Sequence, residues 1–403
     1  MLKTSLEPGK GFQGLKKDWK CTSRSLFSAL TSIVFVLSGA IPMLSSAASS
    51  AGLSSKQAAS FVMCGIAIGA LISIAASLYY RIPFFFASSL TGIAVLTPMF
   101  DKFSIAEMTG GFIIAGIAVA VIGISGITGW IAKYLPLPVV LGMVAGVFMS
   151  YGLNIISSIT SDPLSGFIII GAFVLFSLLT KKIPPTVVSL IAGVLCAVFI
   201  YHTDFTYSTE AGFSLPVFIL PDFSGHIVLS VSLPLVIMAL ADIFKGYGVL
   251  KSGGYDIPLN AVTTLSGIGS IFAAFGLSHT VTLAGPVMAI LSGKDAGEKR
   301  LRFISAVIFC CALIAVCAFL WLLLPIITQL PSSILSLICG LAMTNLLVSS
   351  LQGAFGAGKF QMGALAAFLT GVSNVTICGI SAPVWAIVFG LIVTISMERE
   401  HWQ

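Results

Sequence analysis

The stretch LPLVIMALADIFKGYGVLKSGGY, from Leu233 to Tyr255, begins as an apolar helix and then places a carboxylate, Asp242, one turn before an amine, Lys245. A charge at the centre of a bilayer costs at least about 2.5 to 3.5 kcal/mol, so such residues usually face a cavity and mark a substrate or proton path. Whether this stretch crosses a membrane therefore decides the fold, and what Asp242 does there decides the function.

The composition of the whole chain predicts a polytopic membrane protein. Of 403 residues, 57% are hydrophobic and 8% are charged, whereas about 25% of the residues in a soluble domain are charged. The eight cysteines are scattered without metal-ligand spacing, which favours packing roles over a metal site. The net charge of +6 comes largely from the N-terminal tail and the cytoplasmic loops, so it indicates topology and not nucleic-acid binding.

Apolar segments separated by proline, glycine and charged residues predict an all-α protein with fourteen transmembrane segments. They lie at 26–48, 57–79, 84–99, 104–132, 136–157, 163–180, 185–201, 225–249, 258–275, 279–292, 300–324, 331–351, 360–373 and 378–397. With the N-terminus in the cytoplasm, only Lys56 and Lys102 among the 20 lysines and arginines lie in outer loops. Because basic residues collect in cytoplasmic loops, this count predicts that both termini are cytoplasmic.

The second half of the chain repeats the first. Three residues of segment four recur 191 positions later, in or just before segment eleven: Glu107, Phe112 and Trp130 match Glu298, Phe303 and Trp321. Segments five and twelve both begin with Leu-Pro and share a glycine–methionine spacing, 194 to 195 positions apart. Each half has seven segments, an odd number, so the second half enters the membrane from the opposite side. The pattern predicts a 7+7 inverted repeat with the substrate site near the midplane.

Segments three and ten are short and broken by glycine or proline. They read IPFFFASSLTGIAVLTP (82–98) and GLSHTVTLAGPVMAILSG (276–293). Each predicts an extended piece followed by a half-helix that begins inside the membrane, where open backbone is tolerated only if it is buried in protein or lines a cavity. The two extended pieces can pair as a short antiparallel ribbon. The half-helix N-termini would then point at one place, which suits an anionic or strongly polar ligand.

Few ionisable groups lie within the predicted segments. Asp242 lies about two-thirds of the way along segment eight, and His279 lies where segment ten breaks. We predict that Asp242 binds the substrate and takes up the coupling proton. His279 is predicted either to hold the ligand or to pack against local backbone. Hydroxyl groups of the broken segments are candidates for contacting a ligand or for satisfying open backbone: Ser88, Ser89, Thr91, Thr280 and Thr282.

Lys245 has two interpretations. At three positions after Asp242 it can form an ion pair that only holds segment eight in place. Alternatively its long side chain can extend to the cytoplasmic surface, and this is the arrangement that we expect.

Four stretches resemble, in order and spacing, the bacterial benzoate:proton symporter family: YRIPFFFASSLTG (80–92), LPLVIMALADIFKGYGVLKSGGY (233–255), FGLSHTVTLAG (275–285) and FLTGVSNVTICGISAPVWAIVFGL (368–391). That family is similar in fold to the nucleobase:cation symporters. The resemblance implies a cytoplasmic tail (1–25), a core domain (26–134 and 225–325) and a gate domain (135–224 and 326–403). It also implies that substrate is held between segments three, eight and ten.

The chain departs from the family pattern in segment eight. Where the benzoate type carries a Ser-Gln-Asn run, this sequence has Ala241, Asp242 and Ile243. An ionised Asp242 repels an anionic substrate unless a proton binds with it. In the nucleobase relatives segment eight does carry an acidic residue that binds the base, so a nucleobase stays open as the substrate.

The sequence therefore predicts a secondary active transporter of the bacterial inner membrane, with benzoate or a similar small aromatic acid and protons as its partners. A nucleobase:proton symporter and a passive anion channel, in which Asp242 and Lys245 are only a structural pair, are the alternatives. No nucleophile and base set, metal-ligand spacing or phosphate loop is present, so we expect neither an enzyme nor a cofactor or metal. The oligomeric state stays open, a homodimer included.

Overall fold

The computed structural model describes the chain in sixteen pieces: residues 6–15, 19–41, 44, 48, 51–90, 92, 96, 99–100, 102–179, 185–203, 216–223, 227–319, 329–356, 358–373, 375–377 and 380–402. The first half contains α1 (Ser23–Phe35), α2 (Ser55–Tyr80), β1 (Phe86–Ser88), α3 (Ile105–Ser125), α4 (Ile127–Lys133), α5 (Leu137–Ser161), α6 (Pro163–Leu179) and α7 (Pro185–Phe199). The second half contains α8 (Leu233–Ser252), α9 (Leu259–Ala274), β2 (Val281–Leu283), α10 (Gly285–Ser292), α11 (Arg302–Ala318), α12 (Ser332–Phe355), α13 (Gln361–Ser373), β3 (Thr376–Ile377), β4 (Ile380–Ser381) and α14 (Ala382–Met397).

These elements follow the predicted segments. Within the described residues, five stretches are long and apolar enough to cross a bilayer: Lys56–Tyr80, Ile105–Ser125, Leu137–Ser161, Ser230–Ser252 and Lys299–Ala318. Other segments correspond to shorter apolar helices, among them α6, α9 and α13. Segment fourteen is helical only from Ala382, because Ile380 and Ser381 pair with Ile377 and Thr376 in the β3–β4 hairpin, which the sequence did not predict. The number of membrane crossings stays a prediction.

The extended pieces of segments three and ten pair as predicted. β1 and β2 form an antiparallel ribbon in which Phe86 lies opposite Leu283 and Ser88 lies opposite Val281. Open backbone inside a membrane protein needs partners, and helix hydroxyls supply them on the outer edges. Ser73 of α2 accepts the Phe86 N–H at 2.7 Å, and Ser270 of α9 accepts the Val281 N–H at 2.9 Å.

Glycines let the ribbon lie directly against its neighbouring helices. A Cβ atom on Gly69 of α2 would be 2.2 Å from the carbonyl oxygen of Phe86, and one on Gly246 of α8 would be 2.5 Å from the Leu283 Cβ. Real Cβ atoms do not approach other atoms this closely, so only glycine fits. The ribbon is therefore held between α2 and α8.

Two π-helical turns lie at equivalent places in the two halves. One, Val36–Ala40, follows α1, and the other, Val228–Ser232, leads into α8. Both begin with the letters VLS, and they lie 192 positions apart, close to the offset of the predicted repeat. Of the residues that first indicated the repeat, Phe112 and Phe303 are both fully buried, and Trp321 lies outside the described residues.

Helix packing separates the elements into two groups. In the first, α2 packs against α11, α3 packs against α9, and α8 contacts both the ribbon and α10. In the second, α5 packs along α12 and α13, α13 packs against α14, and α6 packs against α7. α5 also contacts α8, the helix that carries Asp242 and Lys245, so one helix of each group lies beside the other.

Candidate functional site

A cavity of about 100 Å³ lies between the ribbon, α1, α5, α8 and α10. One end of it is polar and is formed by Ser88, Ser89, Asp242, Lys245 and Thr282. The remaining wall is mainly apolar and includes Phe35, Phe85, Val147, Phe148 and Tyr151. An apolar cavity of about 150 Å³ can hold benzene, so this space is of the right order for a single small ring.

Asp242 is the centre of the polar end. It is 5% exposed, and its Oδ1 forms an ion pair with the Lys245 ammonium. Its Oδ2 accepts hydrogen bonds from the Ser89 hydroxyl and, at 3.3 Å, from the Thr282 hydroxyl. Its two oxygens therefore meet donors from segments three, eight and ten of the chain.

Ser89 joins the two broken segments to α8. Besides donating to Asp242, its hydroxyl accepts the Gly92 N–H at 2.9 Å, as a residue that caps a helix start does. Its own N–H donates to the Thr280 carbonyl at 3.0 Å. The Gly92 N–H therefore fixes the Ser89 hydroxyl while that hydroxyl donates to the carboxylate.

His279 lies two residues before β2 and packs against segment three. Its Nε2 is 2.7 Å from the Ser89 carbonyl, and because a carbonyl only accepts, this nitrogen carries the proton. The ring stacks on Phe61 with 5.4 Å between centroids and is fully buried. His279 is not among the described residues that line the cavity. The packing interpretation accounts for its contacts, and the expected contact with a ligand finds no support in this cavity.

The other predicted hydroxyls divide into two sets. Ser88 and Thr282 line the cavity, and Ser88 also pairs with the Ser278 hydroxyl at 3.0 Å. Thr280 is fully buried and does not line the cavity, although its carbonyl holds Ser89. Thr91 lies outside the described residues.

The expectation for Lys245 was wrong. Its side chain is 8% exposed and pairs with Asp242 instead of extending to the surface. A buried carboxylate one turn away is a stronger partner than distant water, since a buried charge without a counter-charge is expensive. The i, i+3 spacing was the sequence signal for this pair. The aromatic wall had no such signal, because Phe35 and Phe148 lie far from the polar end in sequence.

The N-terminus of α10 adds a second source of positive potential. Gly285, Pro286 and Val287 line the cavity, and the residue before the helix, Ala284, has no side chain that could cap it. Exposed N–H groups and the dipole at a helix start favour an anion. The polar end thus combines an ammonium, hydroxyls and a helix N-terminus with one carboxylate.

Comparison with known families and proteins gives consistent results. The family model for the benzoate membrane transport protein matches residues 20–396. The chain is 27% identical over 384 residues to the benzoate membrane transport protein of Acinetobacter baylyi, which covers 94% of this chain and 95% of that protein. It is 27% identical over 331 residues to the inner membrane protein YdcO of Escherichia coli, with coverages of 81% and 83%.

Solved structures show a similar fold. The transmembrane domain of the bicarbonate transporter BicA from a cyanobacterium has a TM-score of 0.54 at 13% identity and covers 93% of this chain and 99% of that chain. The murine anion transporter Slc26a9, in its inward-facing state, has a TM-score of 0.56 at 13% identity, with coverages of 96% and 70%. The expected likeness in fold to nucleobase:cation symporters stays a prediction.

Proposed function

The chain belongs to the benzoate membrane transport protein family, as its motifs predicted, and we propose that it is a proton-coupled symporter of benzoate or a similar small aromatic carboxylate. The observation that carries this proposal is a buried carboxylate, Asp242, in the wall of an aromatic-lined cavity. In keeping with the loop charges and the bacterial relatives, we place the protein in the inner membrane with both termini in the cytoplasm.

The two ends of the cavity match the two ends of an aromatic acid. The ring would lie among Phe35, Phe85, Phe148 and Tyr151, because offset and edge-to-face ring contacts add to the free energy of apolar burial. The carboxylate would lie at the polar end, beside the α10 N-terminus. Small-molecule sites typically combine such an apolar wall with a few placed polar groups.

Proton coupling follows from the position of Asp242. A second carboxylate entering the polar end would lie close to the first, and two neighbouring carboxylates cannot both stay ionised without a large cost. Protonation of Asp242 removes the repulsion. Substrate and proton would therefore bind together, and a proton gradient would drive accumulation of the acid.

We further propose that transport occurs by movement of a core domain against a gate domain, built from fourteen segments in a 7+7 inverted repeat. The core is 26–134 with 225–325, and the gate is 135–224 with 326–403. The antiparallel ribbon, the two π-helical turns 192 positions apart and the two packing groups support this arrangement. A cavity between the two groups is what alternating access about a central site requires.

One observation favours a second candidate, a passive facilitator. Asp242 and Lys245 do form the ion pair that a purely structural role predicts. A facilitator would equilibrate benzoate without accumulating it, and a protonophore would not change the final level. Competition of labelled benzoate uptake by uracil and xanthine tests the nucleobase alternative in the same assay.

The test compares the wild type with Asp242→Asn in proteoliposomes. The rates are corrected for protein-free liposomes, because undissociated benzoic acid crosses bilayers unaided. We expect Asp242→Asn to lose accumulation driven by an inside-alkaline pH gradient and to retain exchange of labelled for unlabelled benzoate at equal pH. The matched control is Asp256→Asn, which removes the exposed carboxylate that follows the same helix. Unchanged accumulation in Asp242→Asn would refute the proposal.

A further inference from the structure

We infer that Lys245 is the residue that binds the carboxylate of the transported acid, and that Asp242 is the internal anion that the acid replaces. This inference rests on the proposed function and adds a binding residue to it. The sequence predicted Lys245 at the cytoplasmic surface, whereas in the structure Lys245 lines the cavity, is 6% exposed, and pairs its ammonium with Asp242.

The contacts of the pair allow such an exchange. Within the described part of the chain, the Lys245 ammonium has one polar partner, the Oδ1 of Asp242. The other carboxylate oxygen, Oδ2, is held separately by the hydroxyls of Ser89 and Thr282. A carboxylate that enters the cavity can therefore take the place of Oδ1 beside Lys245 while Asp242 keeps its two hydroxyl donors.

The exchange also balances charge and protons. The incoming acid is an anion, so the proton comes from the solution on the side from which the acid enters, and it binds to the Oδ1 that Lys245 releases. No covalent bond of the acid changes. The Lys245 ammonium keeps one counter-charge before and after the exchange, which matters because a buried charge left without a partner is strongly destabilising.

The net charge of the site then explains why proton and acid move together. In the empty site, Asp242 and Lys245 sum to zero. With acid and proton both bound, neutral Asp242, Lys245 and the bound carboxylate again sum to zero. Acid alone gives −1 and a proton alone gives +1, and a net charge is costly inside a membrane. Only the empty and the fully loaded sites are neutral, so the exchange implies one proton for each carboxylate.

Binding measurements on purified full-length protein test the inference. Calorimetry would compare benzoate with benzamide, which has the same ring but no charge, for the wild type, Asp242→Asn, Lys245→Arg, Lys245→Gln and the Asp242→Asn/Lys245→Gln double variant. The double variant is essential because Lys245→Gln alone leaves Asp242 as a buried unpaired charge, whereas the double variant is neutral. Lys251→Gln is the matched control, since it removes a partly exposed lysine from the same helix.

We expect Asp242→Asn to bind benzoate at least as tightly as the wild type, because the internal competitor is gone, and Lys245→Arg to keep binding. Both Lys245→Gln proteins should lose benzoate affinity by about 30-fold or more, as expected for removing one partner of a buried charge pair. The affinity of both Lys245→Gln proteins for benzamide should stay unchanged. The affinities of Lys251→Gln for benzoate and for benzamide should also stay unchanged.

The results separate the inference from the proposed function. A wild type that does not bind benzoate would overturn both. A wild type that binds benzoate, together with a folded double variant that binds it as tightly as Asp242→Asn does, would overturn the role of Lys245 alone. If the double variant does not fold, a folded Lys245→Gln protein that binds benzoate as tightly as the wild type would overturn the inference in its place.

Discussion

Asp242 shows how a membrane helix can hold a carboxylate at low cost. Its two oxygens meet an ammonium from its own helix and hydroxyls from Ser89 and Thr282, which belong to the two broken segments. The two hydroxyls come from segments that meet α8 only in the folded protein. The position of the carboxylate therefore depends on these donors, and a single donor can be tested.

Replacing Thr282 with valine removes one donor to Asp242 and keeps the shape of the side chain. Without this donor the Asp242 Oδ2 is held less firmly, so the carboxylate is less well placed for the exchange with the acid. We expect slower benzoate uptake under an inside-alkaline pH gradient, as measured by initial rates. Thr160→Val, at an exposed position near the end of α5, is the matched control, and an unchanged rate in Thr282→Val would contradict this role of Thr282.

For single residues, the sequence identified Asp242 as a candidate functional residue but did not identify its hydrogen-bond partners. Asp242 was recognisable because a lone carboxylate stands out in an apolar segment. Ser89 and Thr282 were recognisable only as hydroxyls in broken segments, since their contact with Asp242 spans 153 and 40 positions of the chain. The position of the Lys245 side chain depends on whether the ion pair with Asp242 or hydration at the membrane surface is more favourable. The linear sequence does not determine which of the two is more favourable.

The ribbon is the element on which the site depends. β1 carries Ser88 towards the cavity, and the residues around β2 supply Thr282 and the start of α10. Its position between α2 and α8 requires glycine where the backbones meet, at Gly69 and Gly246. Anything that separates the ribbon from α2 should therefore move the polar end of the cavity.

Gly69→Ala tests this dependence. The new Cβ would lie 2.2 Å from the Phe86 carbonyl oxygen, and overpacking of this kind costs typically about 1 to 3 kcal/mol. We expect a lower unfolding temperature in detergent and weaker benzoate binding. Gly171→Ala on α6 is the matched control, because a Cβ there meets nothing within 4 Å. Equal stability of the two variants would show that the close contact is not required.

The elements were largely predictable because their signals are local. Apolar length indicated the helices, and the β-branched run before Gly285 and Pro286 indicated an extended piece followed by a helix start. The β3–β4 hairpin was missed because its strands are two residues each, too short to interrupt an apolar segment visibly. The π-helical turns had a signal in the repeated letters VLS, which becomes meaningful once both turns are seen.

At the scale of the whole molecule, the main feature is a cavity where the two groups of helices meet. The ion pair of Asp242 and Lys245 lines this cavity, and we infer that the acid replaces Asp242 in that pair. The sequence predicted the ribbon and the site between segments three, eight and ten. It did not predict the contribution of α1 and α5, because the wall formed by Phe35, Phe148 and Tyr151 arises from packing between distant parts of the chain. If the site stays neutral when empty and when loaded, transport should carry no net charge.

The most direct test is the protein-dependent initial rate of labelled benzoate uptake into proteoliposomes, measured under a pH gradient and a membrane potential imposed separately. Potassium gradients with valinomycin set the potential, and protein-free liposomes provide the background. We expect an inside-alkaline pH gradient to accelerate uptake and drive accumulation, while potentials of either sign leave the rate unchanged. Uptake driven by the potential alone, or uptake indifferent to the pH gradient, would contradict electroneutral symport of one proton with one carboxylate.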